Sequence, residues 1–132
     1  MLGLHDAAHG ESATTGAALV VDKLACSLAG QAHPVWIAPG TRAHRAYGVE
    51  RAVEQFRCSY GLNPRYRAAL EGGPLRVSGA DEGGEVRVVE LPAHRFFIAT
   101  LYLPQLTSST TRPHPLILAY LWAARDDTEA HP

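Results

Sequence analysis

An apolar run bracketed by prolines governs how this chain can fold. Residues 94–105 read His-Arg-Phe-Phe-Ile-Ala-Thr-Leu-Tyr-Leu-Pro-Gln, and between Phe96 and Tyr102 only Thr100 and Tyr102 bring a hydroxyl. An aromatic, branched run without alternation reads as a central strand covered on both faces. Such a strand needs a neighbour on each edge and a layer above and below it. The turn Leu103-Pro104-Gln105 lies at its carboxyl end, where an open α/β sheet places its chemistry.

The 132 residues suit one domain, and a chain of that size buries about two thirds of its unfolded surface, enough for a core without disulfides or metal. With 12 Lys and Arg against 13 Asp and Glu and no basic run, nucleic acid is excluded as the expected partner. No apolar stretch approaches the roughly 18 residues of a membrane span, and no basic, then apolar leader opens the chain. The expectation is a cytoplasmic protein with no membrane partner, cofactor or metal. Cys26 and Cys58 fit no metal-ligand or redox spacing and read as free thiols.

Along the chain, residues 1–16 show neither period and read as a loop. Residues 17–24 and 33–39 are short apolar runs around a glycine-containing turn, predicting two strands. Thr41 can cap a helix over 42–47 that stops at Gly48. Residues 49–62 alternate, predicting one strand with Cys58 and Tyr60 on one side and Arg57 and Ser59 on the other. Asn63-Pro64 is a cap and first-turn pair for a short helix over 64–71. Residues 75–80 and 86–91 flank Asp81-Glu82-Gly83-Gly84 as an antiparallel hairpin. Pro115 opens a helix to about Arg125 with Leu116, Ile117, Tyr120, Leu121 and Ala124 inward, and residues 126–132 form a tail.

Several of these stretches, in order, resemble the glutamine amidotransferase domain of CTP synthase, a class I, triad-type amidotransferase. Asp6-Ala7 with Glu11 is similar to that family's Asp-Ala-Asn-Ser-Thr-Glu. Pro39-Gly40-Thr41-Arg42-Ala43 and Tyr47-Gly48 resemble its Pro-Gly-Ser-x-Ala-x-x-x-Tyr-Gly, and residues 54–63 its Glu-Arg-His-Arg-His-Arg-Tyr-Glu-Val-Asn. Val77-Ser78-Gly79, Val89-Glu90-Leu91-Pro92 and Phe96-Phe97 resemble its closing hairpin and last strand. The resemblance is closer still to a group related to the CTP synthase carboxyl-terminal region, some of them selenoproteins, at Cys26-Ser27-Leu28, Cys58-x-Tyr60-Gly61-Leu62-Asn63 and Leu103-Pro104-Gln105.

The resemblance implies an α/β fold of the class I glutamine amidotransferase, flavodoxin-like layered type. It implies the carboxyl-terminal half of such a domain over 1–132, strand-rich, with a mixed sheet and two or three short helices. It also implies glutamine hydrolysis in pyrimidine metabolism, and here the sequence departs. The family's His-Pro-Glu, which supplies the base and the carboxylate orienting it, is Leu103-Pro104-Gln105, and a leucine cannot move a proton. The nucleophilic cysteine belongs to a front half expected to precede this segment. The arginine before the family's tyrosine is Ser59, so a bidentate grip on an α-carboxylate is lost.

Three readings remain open at this point. One is a pseudoenzyme that keeps the fold without the ordinary hydrolysis. Another is a non-catalytic binding or subunit-interaction module. The third is a thiol-dependent hydrolase of a small amide that needs a separate front-half polypeptide, with Cys58 or Cys26 as nucleophile and His9, oriented by Glu11, as base. Arg57, Ser59, Tyr60, Asn63 and Glu11 are the expected pocket residues, and an open sheet edge invites self-association.

Overall fold

Residues 3–12 and 17–128 are described in the computed structural model, with side chains as far as residue 125. Thr41 begins the first helix, α1 (Arg42–Tyr47): its hydroxyl accepts the His44 amide at 3.0 Å and donates to the Ala38 carbonyl at 2.6 Å. Gly48 ends it at φ +69°, a left-handed conformation that glycine adopts without a Cβ penalty. The remaining orphan donors of the first turn find Glu90, whose carboxylate accepts from the amides of Arg42 (3.0 Å) and Ala43 (3.1 Å). Asn63 caps a 3₁₀ turn over Pro64–Tyr66 that runs into α2 (Arg67–Glu71), and α3 spans Pro115–Thr128.

The strands are β1 (Ala7–His9), β2 (Ala18–Lys23), β3 (Gln31–Ile37), β4 (Arg51–Phe56), β5 (Tyr60–Leu62), β6 (Arg76–Ala80), β7 (Val86–Glu90) and β8 (Ile98–Thr100). They form two sheets, ordered β1-β2-β5 and β4-β3-β6-β7-β8. The larger is antiparallel throughout; the smaller is mixed, with β1 parallel and β5 antiparallel to β2. Alternation sorts the faces of the large sheet. Val35 and Ile37 of β3 and Phe56 of β4 point into the core, whereas Trp36 and Val53 point out. The core is completed by Ala43 of α1, Val88 of β7, Tyr102 and Leu116 of α3, so the two helices cover one face of this sheet. Burying a side chain such as Phe56 contributes roughly 1.5–3 kcal/mol. Gly79 lies at a bulge where a Cβ would come within 2.7 Å of Val88 Cγ2, which lets β6 and β7 approach.

Several expectations are corrected. The proline-bracketed run forms only the three-residue β8, at the edge of the large sheet, and Ala99 is exposed. Its apolar content is used outside the ladder. Phe96 and Phe97 precede the strand, and Tyr102, 1% exposed, follows it and packs edge-on against Phe56 at 5.7 Å. The strands with partners on both edges are β2, β3, β6 and β7. The two strands read around the glycine turn are present as β2 and β3, but in different sheets.

Residues 49–62 form two strands, not one: β4 joins the large sheet and β5 the small one, and the chain bends at Arg57, Cys58 and Ser59. Strand alternation therefore cannot be carried from β4 to Cys58 and Tyr60. Residues 7–9, read as loop, add β1 beside β2, while 1–2 and 13–16 lie outside the described residues. On α3, Leu116 is buried as expected, but Tyr120 and Leu121 are 57% and 52% exposed and Ala124 is also exposed. The helix also runs through 126–128, where the sequence predicts a tail; 129–132 lie outside the described residues.

Candidate functional site

The small sheet gathers most of the residues expected to line a pocket. His9 of β1 and Tyr60 of β5 reach across β2, their ring centroids 5.1 Å apart. The Tyr60 amide donates to Cys58 Sγ at 3.3 Å, and the Ser59 and Ser27 hydroxyls share a hydrogen bond of 2.7 Å. Asn63 is spent on the backbone: its side chain donates to the Leu19 carbonyl and accepts from the Arg65 amide. Among the described residues no hydrogen bond joins the Glu11 carboxylate to His9; the Glu11 backbone amide donates to His9 Nδ1 at 3.1 Å. That bond leaves the proton of a neutral ring on Nε2 and occupies the basic nitrogen. Arg57 is exposed, and among the described residues no hydrogen bond joins either thiol to an imidazole.

The two cysteines separate. Cys26 is exposed and lines a cleft of about 490 Å³ between the sheets, with Lys23, Asn63, Asp81 and Arg87 among its other walls. Cys58, half-buried, is not among the residues lining it. Arg87 is 4% exposed, lies over the Phe56 ring, and donates through Nε and Nη2 to Asp81 Oδ2 at 3.1 and 2.6 Å. A second, apolar cleft of about 260 Å³, with Val20, Leu62, Leu75, Val89 and Leu101 among its lining, also separates small sheet from large. Among the described residues no group of three His, Cys, Asp or Glu could hold a metal ion, and no helix is long and apolar enough to cross a membrane.

At the far end of the large sheet, Leu103 leaves β8 with its amide bonded to the Gln55 carbonyl at 3.2 Å. It caps a 3₁₀ turn over Pro104–Thr107 in which Gln105 is exposed. Beneath this turn is a buried polar cluster that sequence reasoning missed. Glu54 of β4, 2% exposed, accepts from Tyr47 Oη (2.6 Å), His114 Nε2 (3.0 Å) and Thr107 Oγ1 (3.4 Å). His114 Nδ1 accepts the Leu116 amide at 3.2 Å, so the imidazole is neutral and its one proton faces Glu54. Tyr102 Oη completes the cluster 2.9 Å from Tyr47 Oη; with the Tyr47 proton committed to Glu54, Tyr102 is the donor.

Burial, the neighbouring Tyr102 and the bond to Glu54 hold the Tyr47 phenol well above the ordinary tyrosine range. Burial likewise raises Tyr102, against the opposing effect of its bond to Tyr47. One signal was available: Glu54 falls on the same face of an alternating strand as Phe56, and an acid on a core face requires donors.

No family profile matches the chain. It is 40% identical over 93 residues, 70% of its length, to the CTP synthase of Roseiflexus castenholzii. Over 99 residues, 74% of its length, it is 41% identical to that of Pelotomaculum thermopropionicum. Its structure matches a solved Trypanosoma brucei CTPS glutaminase domain with bound acivicin at a TM-score of 0.87 and 25% identity, over 95% of this chain. The chain is related to the glutaminase domain of CTP synthase. It spans 17–18% of the length of those two curated CTP synthases and 53% of the solved glutaminase chain. The expected α/β, glutaminase-like fold therefore stands, with a mixed sheet, an antiparallel one and three α-helices among the described residues.

Proposed function

We propose that this chain is a glutaminase-type module of the CTP synthase kind that does not hydrolyse glutamine by a Cys-His-Glu route and serves in the cytoplasm as a non-catalytic binding module. The observation carrying this reading is the pair Leu103 and Gln105 after β8, where the resemblance expects the histidine and the glutamate. Neither residue can take up a proton near neutral pH. Two further observations support it. Ser59, in place of an arginine, spends its hydroxyl on Ser27. The basic nitrogen of His9 is taken by a backbone amide.

The test is ammonia release from glutamine and related γ-amides by the purified chain, alone and with any separately encoded front-half polypeptide. No release above a buffer blank is expected in either arrangement, and release proportional to chain concentration would overturn the reading. One observation favours a second reading, thiol-dependent hydrolysis of a small amide: Cys26 is exposed on the 490 Å³ cleft, where a small molecule could reach its thiol. It requires that any release vanish in Cys26→Ala and persist in Cys58→Ala.

A further inference from the structure

The two clefts between the sheets share Leu62 and Arg87 as walls, so they adjoin at one guanidinium. Arg87 is buried, and Asp81 Oδ2 engages only its Nε and Nη2. Among the described residues nothing accepts from Nη1, which leaves two N–H donors for whatever enters. The other acids of the larger cleft differ in what they hold. Asp81 Oδ1 accepts the Glu85 amide at 2.9 Å, and Asp22 Oδ1 accepts the Lys23 amide at 2.7 Å. Glu85 itself, half-buried and two residues before Arg87, lines the same cleft with no described partner for its carboxylate. Beyond Arg87 the walls turn aliphatic. Val20, Leu70, Leu75, Val89 and Leu101 line the smaller cleft, and the hydroxyl of its Thr100 is turned to the Tyr102 carbonyl at 2.8 Å. At about 260 Å³ it exceeds the roughly 150 Å³ in which an apolar cavity holds benzene.

We infer that the adjoining clefts bind a free aliphatic α-amino acid of the leucine, isoleucine or valine class, with its carboxylate on Arg87, its ammonium on Glu85 and its side chain in the aliphatic cleft. This deepens the reading of the chain as a binding module and rests on it. A zwitterion is the ligand that answers both unpartnered charges. A carboxylate alone would meet Arg87 with Glu85 opposing it, and an amine alone the reverse. Lys23, exposed on the larger cleft, adds a second cation for the carboxylate. With Arg87 engaged and Thr100 turned to the backbone, no side chain of the smaller cleft is left to bond an amide, so glutamine is disfavoured there.

Isothermal titration calorimetry of the purified chain tests the inference with four ligands. Leucine is expected to bind saturably. Leucinamide, which lacks the carboxylate, 4-methylpentanoate, which lacks the ammonium, and glutamine should each bind weaker by roughly tenfold or more. Glu85→Gln should weaken leucine by a similar factor without weakening 4-methylpentanoate, a split that a folding defect would not produce. Ala99→Phe, at an exposed position that lines the smaller cleft, should weaken leucine while leaving both charges in place. Bound leucine should also slow iodoacetamide alkylation of Cys26, which is exposed on the larger cleft. No saturable leucine binding, equal affinity for glutamine, parent selectivity in Glu85→Gln, parent affinity in Ala99→Phe or unchanged alkylation of Cys26 would each overturn the inference. Leucine carries no side-chain amide, so its binding is read apart from ammonia release. A chain that releases ammonia and binds leucine overturns only the non-hydrolytic reading, and one that does neither overturns only this inference.

Discussion

Glu54 is the residue on which the interior of this protein turns. Its carboxylate is buried without a cation and is held instead by three donors from α1, the segment after β8 and the start of α3. Replacing it with alanine leaves those donors without an acceptor and should cost roughly 3–5 kcal/mol in urea unfolding. In a double-mutant cycle, Glu54→Gln and Tyr47→Phe should couple by about 1 kcal/mol or more, and additivity would show that the 2.6 Å contact is not energetically distinct.

The two phenols add a pH dependence whose sign is fixed. Both keep their protons when folded at a pH where unfolded tyrosine ionises, at about 10. Above that value the unfolded chain binds fewer protons than the native one, so stability falls as pH rises; below it the contribution is fully retained. The tyrosinate absorbance removed by Tyr47→Phe with Tyr102→Phe should develop only at the pH where circular dichroism reports unfolding.

At the scale of elements, α1 is too short to be stable by itself and depends on its ends. Glu90→Ala would orphan the amides of Arg42 and Ala43 and should cost roughly 2–4 kcal/mol in thermal or urea unfolding, with Glu90→Gln losing less because one acceptor remains. Gly48→Ala, forced to φ +69°, should destabilise by about 1 kcal/mol.

These ends also show what the sequence made legible. Thr41, Gly48 and the side-chain oxygen of Asn63 cap through bonds to residues at most a turn away, so α1 and the 3₁₀ turn leading into α2 could be read locally. The division of 49–62 into β4 and β5 could not, because the bend at Arg57–Ser59 serves partners in two different sheets. The proline-bracketed run misled for a similar reason: aromatic content predicts burial, but Tyr102 is buried by packing on Phe56 after the strand has ended. Glu90 lies 47 or more residues from Arg42 and Ala43, and Glu54 53 or more from Thr107 and His114, beyond any local pattern.

On the scale of the whole molecule, the buried core belongs to the large sheet, α1, α3 and Tyr102, and no residue of the small sheet is part of it. The small sheet is half-buried apart from exposed Ala7 and Lys23 and buried Gly61, and clefts of about 490 and 260 Å³ lie between it and the rest. A leaf attached by so thin a seam should open as a unit without global unfolding. Native-state hydrogen exchange should therefore release the amides paired between β2 and β5 at a lower free energy than those of β3 and β7, and equal protection would contradict this. The opening turns the cleft beside Cys26 into a reporter. Any small molecule that occupies it holds the leaf shut, so protection at Leu24 and Asn63, whose amides bond to Ser59 and Val20, would rise with ligand concentration.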